Sequence, residues 1–196
     1  PLTGWVNEFF DRLTFLQNWI DGGIPVTFWL PGFYFPQAFL TGALQNYARK
    51  YQLPIDQVSF AFSIQRIESH TEITEKVENG CVIYGLHLEG ARWDMESFAI
   101  ADSLPKKLFS LMPVIHLDPV HNRPQTEKGI YRCPVYKVLS RWGILATTGH
   151  SSNFIMWIEL PSDRDDFITS LSPHTNKADS KAWIKAGVAA FCSLKY

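Results

Sequence analysis

The sequence has few cysteines, almost no net charge and no long apolar run. Its three cysteines, Cys81, Cys133 and Cys192, are scattered and odd in number. They form no CxxC pair, which argues against a zinc site and for buried free thiols in a reducing compartment. The formal net charge is −1 at pH 7, too small for a dominant electrostatic grip on nucleic acid or on an anionic membrane. Neither partner is expected. No apolar stretch approaches the ~20 residues of a membrane-spanning helix, and no basic start with an apolar run and cleavage site marks a secretory signal. The GxxxxGK[ST] and GxGxxG patterns are missing, so neither familiar phosphate cradle is supplied and no cofactor is expected. Pro1 stands where an initiator methionine would be, and the sequence reads as a fragment or a processed chain.

What is present is aromatic. Aromatic residues make up 14% of the 196 residues, many of them in the first third. Val6, Phe9, Leu13, Leu16 and Ile20 recur at helical spacing, widened by Phe10 and Trp19, and predict a first helix with Thr3 as a candidate N-cap. Asp21-Gly22-Gly23 should end it, with Pro25 blocking continuation. A junction follows in which Trp29, Phe33, Tyr34 and Phe35 crowd between prolines. Such a cluster packs inside its own chain or marks an interface. A second helix should start near Pro36 and bury Phe39, Leu40, Ala43, Leu44, Tyr47 and Tyr51.

Near Leu53 the period changes from helical to alternating. That places a boundary between a helical part, 1–53, and a β part, 54–196. Val58 to Ile64 alternates as a strand, as do Tyr131 to Val135 and Phe154 to Leu160. Pro134 inside the second of these implies an edge or a bulge. A short strand bracketed by prolines is expected around Ile115, and the end, Ala182 to Leu194, fits a strand better than a helix. The densest stretch is Cys81 to Asp94. Val82, Tyr84, Leu86 and Leu88 alternate with Ile83, Gly85 and His87, predicting one strand that turns at Gly90 and pins the corner with a buried Trp93. This strand should pair with Val58–Ile64 as an antiparallel hairpin across a long acidic connection. Helices first and strands afterwards imply an α+β fold, N-terminal α-helices followed by a small antiparallel β-barrel.

Chemistry-bearing motifs are weak. Gly149-His150-Ser151-Ser152-Asn153 has Asn153 where the GxSxG nucleophile elbow needs glycine, and it precedes a strand rather than a helix. A turn whose hydroxyls bond the local backbone is the better reading; a free-standing hydrolase using Ser151 and His150 is the alternative. His116 and His121 near Asp118 lack a third ligand at a recognised spacing, so no metal is expected. The run Glu68, Glu72, Glu75, Glu78 reads as solvated loop. No catalytic, cofactor or metal residue is assigned.

Several segments resemble one family. Trp29 with Gly32-Phe33-Tyr34-Phe35-Pro36-Gln37-Ala38-Phe39-Leu40-Thr41-Gly42 is similar to the FWxxGFxFPQxFLTG motif of the C-terminal region of dynein heavy chains. Gly85 to Asp94 resembles its GLxLEGAxWD, Tyr131 to Tyr136 its YxCPVYK, and Thr147 to Phe154 its TTGHSTNF. Trp183 to Ala189 resembles WIxRGVA, with Ala186 in place of arginine. The last two motifs are similar to the axonemal branch, and residues 163–180 form an unusually long polar insert. The resemblance implies the end of a minus-end-directed, ATP-driven microtubule motor of cilia and flagella. It implies a regulatory and structural module without a nucleotide site, helical at its start and barrel-like afterwards, lying on the motor's AAA+ ring. The implied partners are the AAA+ modules of the same heavy chain and other axonemal dynein chains, with microtubules reached only through the parent motor. Trp29, Phe33, Phe35, Gly85, Gly90 and Trp93 are the structural or interface candidates.

Overall fold

The computed structural model describes residues 2–67, 69–107, 109–123, 130–137, 154–161, 180–185 and 187–192. Two helices lead. α1 covers Leu2–Gly22 and α2 covers Pro36–Tyr51. Thr3 does not act as N-cap, because α1 already includes Leu2. Pro36 occupies the first turn of α2, where no N–H is needed, and Gln52 closes the helix in a left-handed conformation with its N–H on Ala48 O and Arg49 O. Between the helices, β1 (Thr27–Trp29) and a 3₁₀ turn at Leu30–Gly32 carry the junction.

Aromatic rings fill the space between these elements. Phe33 stacks on Phe39 with centroids 4.3 Å apart, and Phe15 and Trp19 of α1 meet Phe33 edge-on at 5.3 and 5.9 Å. Phe15 also meets Trp29 at 5.8 Å, and Phe28 lies between Trp19 and Phe39. Offset and edge-to-face pairs of this kind are the favoured ring geometries.

The strands are β2 (Val58–Ile64), β3 (Cys81–Tyr84), β4 (Leu86–Glu89), β5 (Ala91–Asp94), β6 (Ala99–Asp102), β7 (Phe109–Leu111), β8 (Ile115–His121), β9 (Ile130–Lys137), β10 (Phe154–Pro161) and β11 (Ala189–Cys192). A short helix, α3 (Ser180–Lys185), precedes β11. The expectation of one terminal strand is therefore half corrected: Gly187 at φ +70° separates a helical turn from the strand.

Cys81 to Glu89 is not one strand. β3 and β4 are separated by Gly85 at φ +90°. β3 lies in a sheet of order β1-β3-β8-β2, and β4 in a sheet of order β10-β9-β11-β4-β7. The alternation continues across the glycine, so a local pattern cannot reveal that the two halves serve different sheets. β5 and β6 form a separate pair. The expected hairpin between β2 and β3 is also corrected. β8 lies between them, with Phe62 opposite Leu117 on one side and Cys81 opposite Leu117 on the other.

The antiparallel barrel expected from the sequence is not found. Among the described residues the sheets are open, and two pairings, β1 with β3 and β11 with β9, are parallel. β9 is central rather than an edge, with Pro134 facing Trp157 of β10 and the β11 ladder beginning at Val135, but its register with β10 shifts between Phe154 and Met156, the bulge that is the other expectation. The two large sheets nonetheless share one core, in which Ile83, Leu86, Leu88, Ile115, Leu117, Val135, Ile158 and Leu160 are buried with Leu30 and Leu40 of the helical part. A side-chain bridge replaces a ladder between their edges. Arg123 donates to Phe60 O of β2 at 2.6 Å and to the buried carboxylate of Glu159 on β10.

Candidate functional site

α1 has two apolar faces, and among the described residues only one is packed against the rest of the domain. At about 100° per residue, Arg12, Phe15 and Trp19 share one side, and Phe9, Leu13 and Ile20 fall within a stripe of roughly 40° on another. The first side packs on Phe28, Trp29 and Phe33. The second faces outward, with Phe9, Phe10, Leu13 and Ile20 all exposed and Ile20 at 76%. The apolar stripe marked out by helical spacing is thus largely the outward one. Periodicity identified it, but nothing local tells which of two apolar faces turns inward.

The junction residues divide in the same way. Trp29 and Phe33 are half-buried, whereas Tyr34 is exposed and Phe35 is 77% exposed. A helix face and a loop therefore present large apolar side chains to solvent, which marks an interaction surface when the patch is contiguous.

The structure brings Trp29 and Gly85 together. A Cβ on Gly85 would stand 2.8 Å from Trp29 Cδ1 and 2.9 Å from Pro31 Cδ, and φ +90° disfavours any other residue in any case. Gly85 thus lets the backbone pass from one sheet to the other directly beneath the indole that α1 holds in place. Gly90, at φ +76°, makes the second corner. Beyond it, Trp93 is buried, with 7% of its surface exposed, and meets Phe98 edge-on at 5.3 Å, while Arg66 lies over the Phe98 ring at 4.5 Å. Trp93 is not part of the α1 surface; it holds the β5–β6 hairpin.

The acidic and histidine groups do not converge. Glu72 completes a capping box with Ser69, and Glu78 bonds Lys50. His116 bonds Asn79 O and His121 bonds Gln57 Oε1. Among the described residues no three ligating side chains gather at one point. His150 and Ser151, with the rest of 149–153, and residues 163–179 of the polar insert lie outside the described residues, as does Glu68. A cavity of about 410 Å³ lies between α1 and α2, floored by Trp19, Phe28 and Phe39 and rimmed by Asn46, Lys50 and Asn79.

The sequence profile of the C-terminal domain of dynein heavy chains matches residues 1–192. The protein belongs to that family. It is 47% identical over all its residues to dynein axonemal heavy chain 1 of Homo sapiens. Over 99% of its length it is 47% identical to dynein axonemal heavy chain 3 of Mus musculus and 45% identical to dynein axonemal heavy chain 12 of Homo sapiens. It spans 4% of the length of the first two relatives and 6% of the third. In this dynein C-terminal domain the aromatic motif makes the α1–α2 junction, and the GLxLEGAxWD-like motif makes both glycine corners.

Sequence reasoning missed three charged residues that shape the domain. Arg123 and Glu159 join the sheet edges, and their 36-residue separation hides the pairing. Arg12 sits beside the outward stripe, with its guanidinium 4.9 Å from the Tyr34 ring centroid and its Nη1 donating to Phe33 O at 3.0 Å. An arginine inside an apolar helical stretch was the available signal.

Proposed function

We propose that this protein is the C-terminal module of an axonemal dynein heavy chain, a minus-end-directed, ATP-driven microtubule motor of cilia and flagella. It seats on the AAA+ ring of the same heavy chain through the outward face of α1 and modulates motor output without chemistry of its own. The observation that carries this reading is the second apolar face. α1 is already anchored by Phe15 and Trp19, yet Phe9, Phe10, Leu13 and Ile20 remain in water. Burying what remains exposed of each would contribute a part of the roughly 1.5–3 kcal/mol gained by a fully exposed apolar side chain, the largest part at Ile20. A surface of this kind favours a permanent neighbour, and a sequence spanning 4% of its long relatives leaves room for one. A seated module changes ring motion only when its contacts differ between ring states. Other axonemal dynein chains are further partners, microtubules are reached through the parent motor, and the axoneme is the location.

The test is made in the intact heavy chain. Phe10→Asp with Leu13→Asp places two charges on the outward face. The doubly substituted motor should show altered microtubule gliding velocity and basal ATPase while the C-terminal domain keeps its fold. Wild-type rates for both would reject the reading.

A further inference from the structure

Two cations, Arg12 and Lys137, meet at the edge of the α1 surface with no counterion among the described residues. Lys137, at the end of β9, donates its Nζ to Tyr34 O, and Arg12 donates to Phe33 O, the preceding carbonyl. Consecutive carbonyls of the junction thus draw a lysine and an arginine from distant elements to one place. Both side chains belong to half-buried residues. The pKa of Lys137 is lowered, first by burial and then by the charge of Arg12. Among the described residues no carboxylate lies in ion-pair range of either cation. Lys50–Glu78, Arg92–Asp94 and Arg123–Glu159, by contrast, each join a cation to an acid. Like charges held side by side repel, and an anion placed between them removes that cost. Their carbonyl bonds leave N–H donors free, since arginine has five and lysine three.

The surroundings decide what the anion is attached to. Exposed Tyr34 and Phe35 lie in the same junction, and Arg12 borders the stripe of Phe9 and Leu13 on its own helix. An anion reaching this place arrives among apolar side chains. We propose that Arg12 and Lys137 receive the carboxylate of an Asp or Glu set among apolar residues on another segment of the same heavy chain. This rests on the ring-seating reading and adds the chemistry of the mating surface. The shared carboxylate fixes the register of an otherwise slippery apolar contact, because a misplaced docking leaves both cations uncompensated.

The experiment uses the full heavy chain with a photo-crosslinking residue placed at Leu13, and mass spectrometry to identify the captured peptide. Capture of a heavy-chain peptide with an Asp or Glu among apolar residues is expected. Arg12→Glu combined with Lys137→Glu should lower the yield about thirtyfold, the low end of the range for truncating one side of a desolvated charge pair. Changing the captured acid to lysine in that background should restore it, which a merely misfolded variant could not do. Unchanged yield in the double variant, a captured peptide without an acid, or failure of the swap to restore capture would overturn the carboxylate proposal and leave ring seating standing. Absence of any captured heavy-chain peptide would overturn both.

Discussion

At the scale of single residues, Gly85 has little freedom. It combines a left-handed backbone with a van der Waals wall made by Trp29 and Pro31. Gly85→Ala should destabilise the domain by about 2–4 kcal/mol, the sum of overpacking and backbone strain. Urea unfolding followed by tryptophan fluorescence would show it, and a loss below about 1 kcal/mol would mean the corner relaxes freely. Trp93→Ala should cost about 3–5 kcal/mol for the deleted indole. Trp93→Phe should cost much less, because the indole N–H has no hydrogen-bond partner in the structure to lose. His87 supplies a pH dependence. Burial lowers its pKa to about 4, against a weaker opposing bond to the Gly85 backbone. The folded state therefore prefers the neutral ring. Its contribution is complete above about pH 6.5 and declines as pH falls toward 4, because the unfolded state takes up the proton first. Wild type minus His87→Gln, compared in urea at pH 7 and pH 4.5, should show this loss. It should be on the order of 2 kcal/mol, less than the full shift implies because the ring keeps some contact with solvent. Parallel curves for the two proteins would contradict it.

At the scale of elements, what could be read in the sequence depends on range. α2, β2, β9 and β10 follow from local periodicity and agree with the structure within a few residues. The aromatic junction is visible as composition. The pairing scheme is not, because β8 reaches its place between β2 and β3 from more than 30 residues along the sequence. Gly85 hides the sheet change, since one glycine preserves the alternating count. Of the candidate site, Trp29, Phe33 and Phe35 were visible, but not their division into half-buried rings and an exposed one. That division depends on which face of α1 turns inward. The Arg123 bridge is the element-level feature most open to test. It holds the free edge of one sheet to the free edge of the other through Phe60 O and Glu159. Arg123→Ala would leave a buried carboxylate without its guanidinium and should cost about 3–5 kcal/mol. Arg123→Lys should recover only part, because one ammonium cannot reproduce the two-armed geometry. Equal stability of Arg123→Ala and wild type would remove the bridge from the account of how the sheets are held.

At the scale of the whole molecule, the described residues share one core and leave one apolar face of the first helix exposed. The three cysteines are buried, and burial raises their pKa values, to about 12 for Cys81 and Cys192. They are poor targets for a thiol reagent. A cysteine introduced at Ile20, the most exposed position of the outward stripe, would therefore report on that face alone within this domain. The decisive measurement is the labelling rate of Ile20→Cys, read by mass spectrometry of its peptide, in the dilute isolated domain and in the intact heavy chain. If the domain seats on the ring through α1, the thiol is labelled quickly in the isolated domain and protected in the motor. Equal rates in the two would contradict the seating of α1 on the ring.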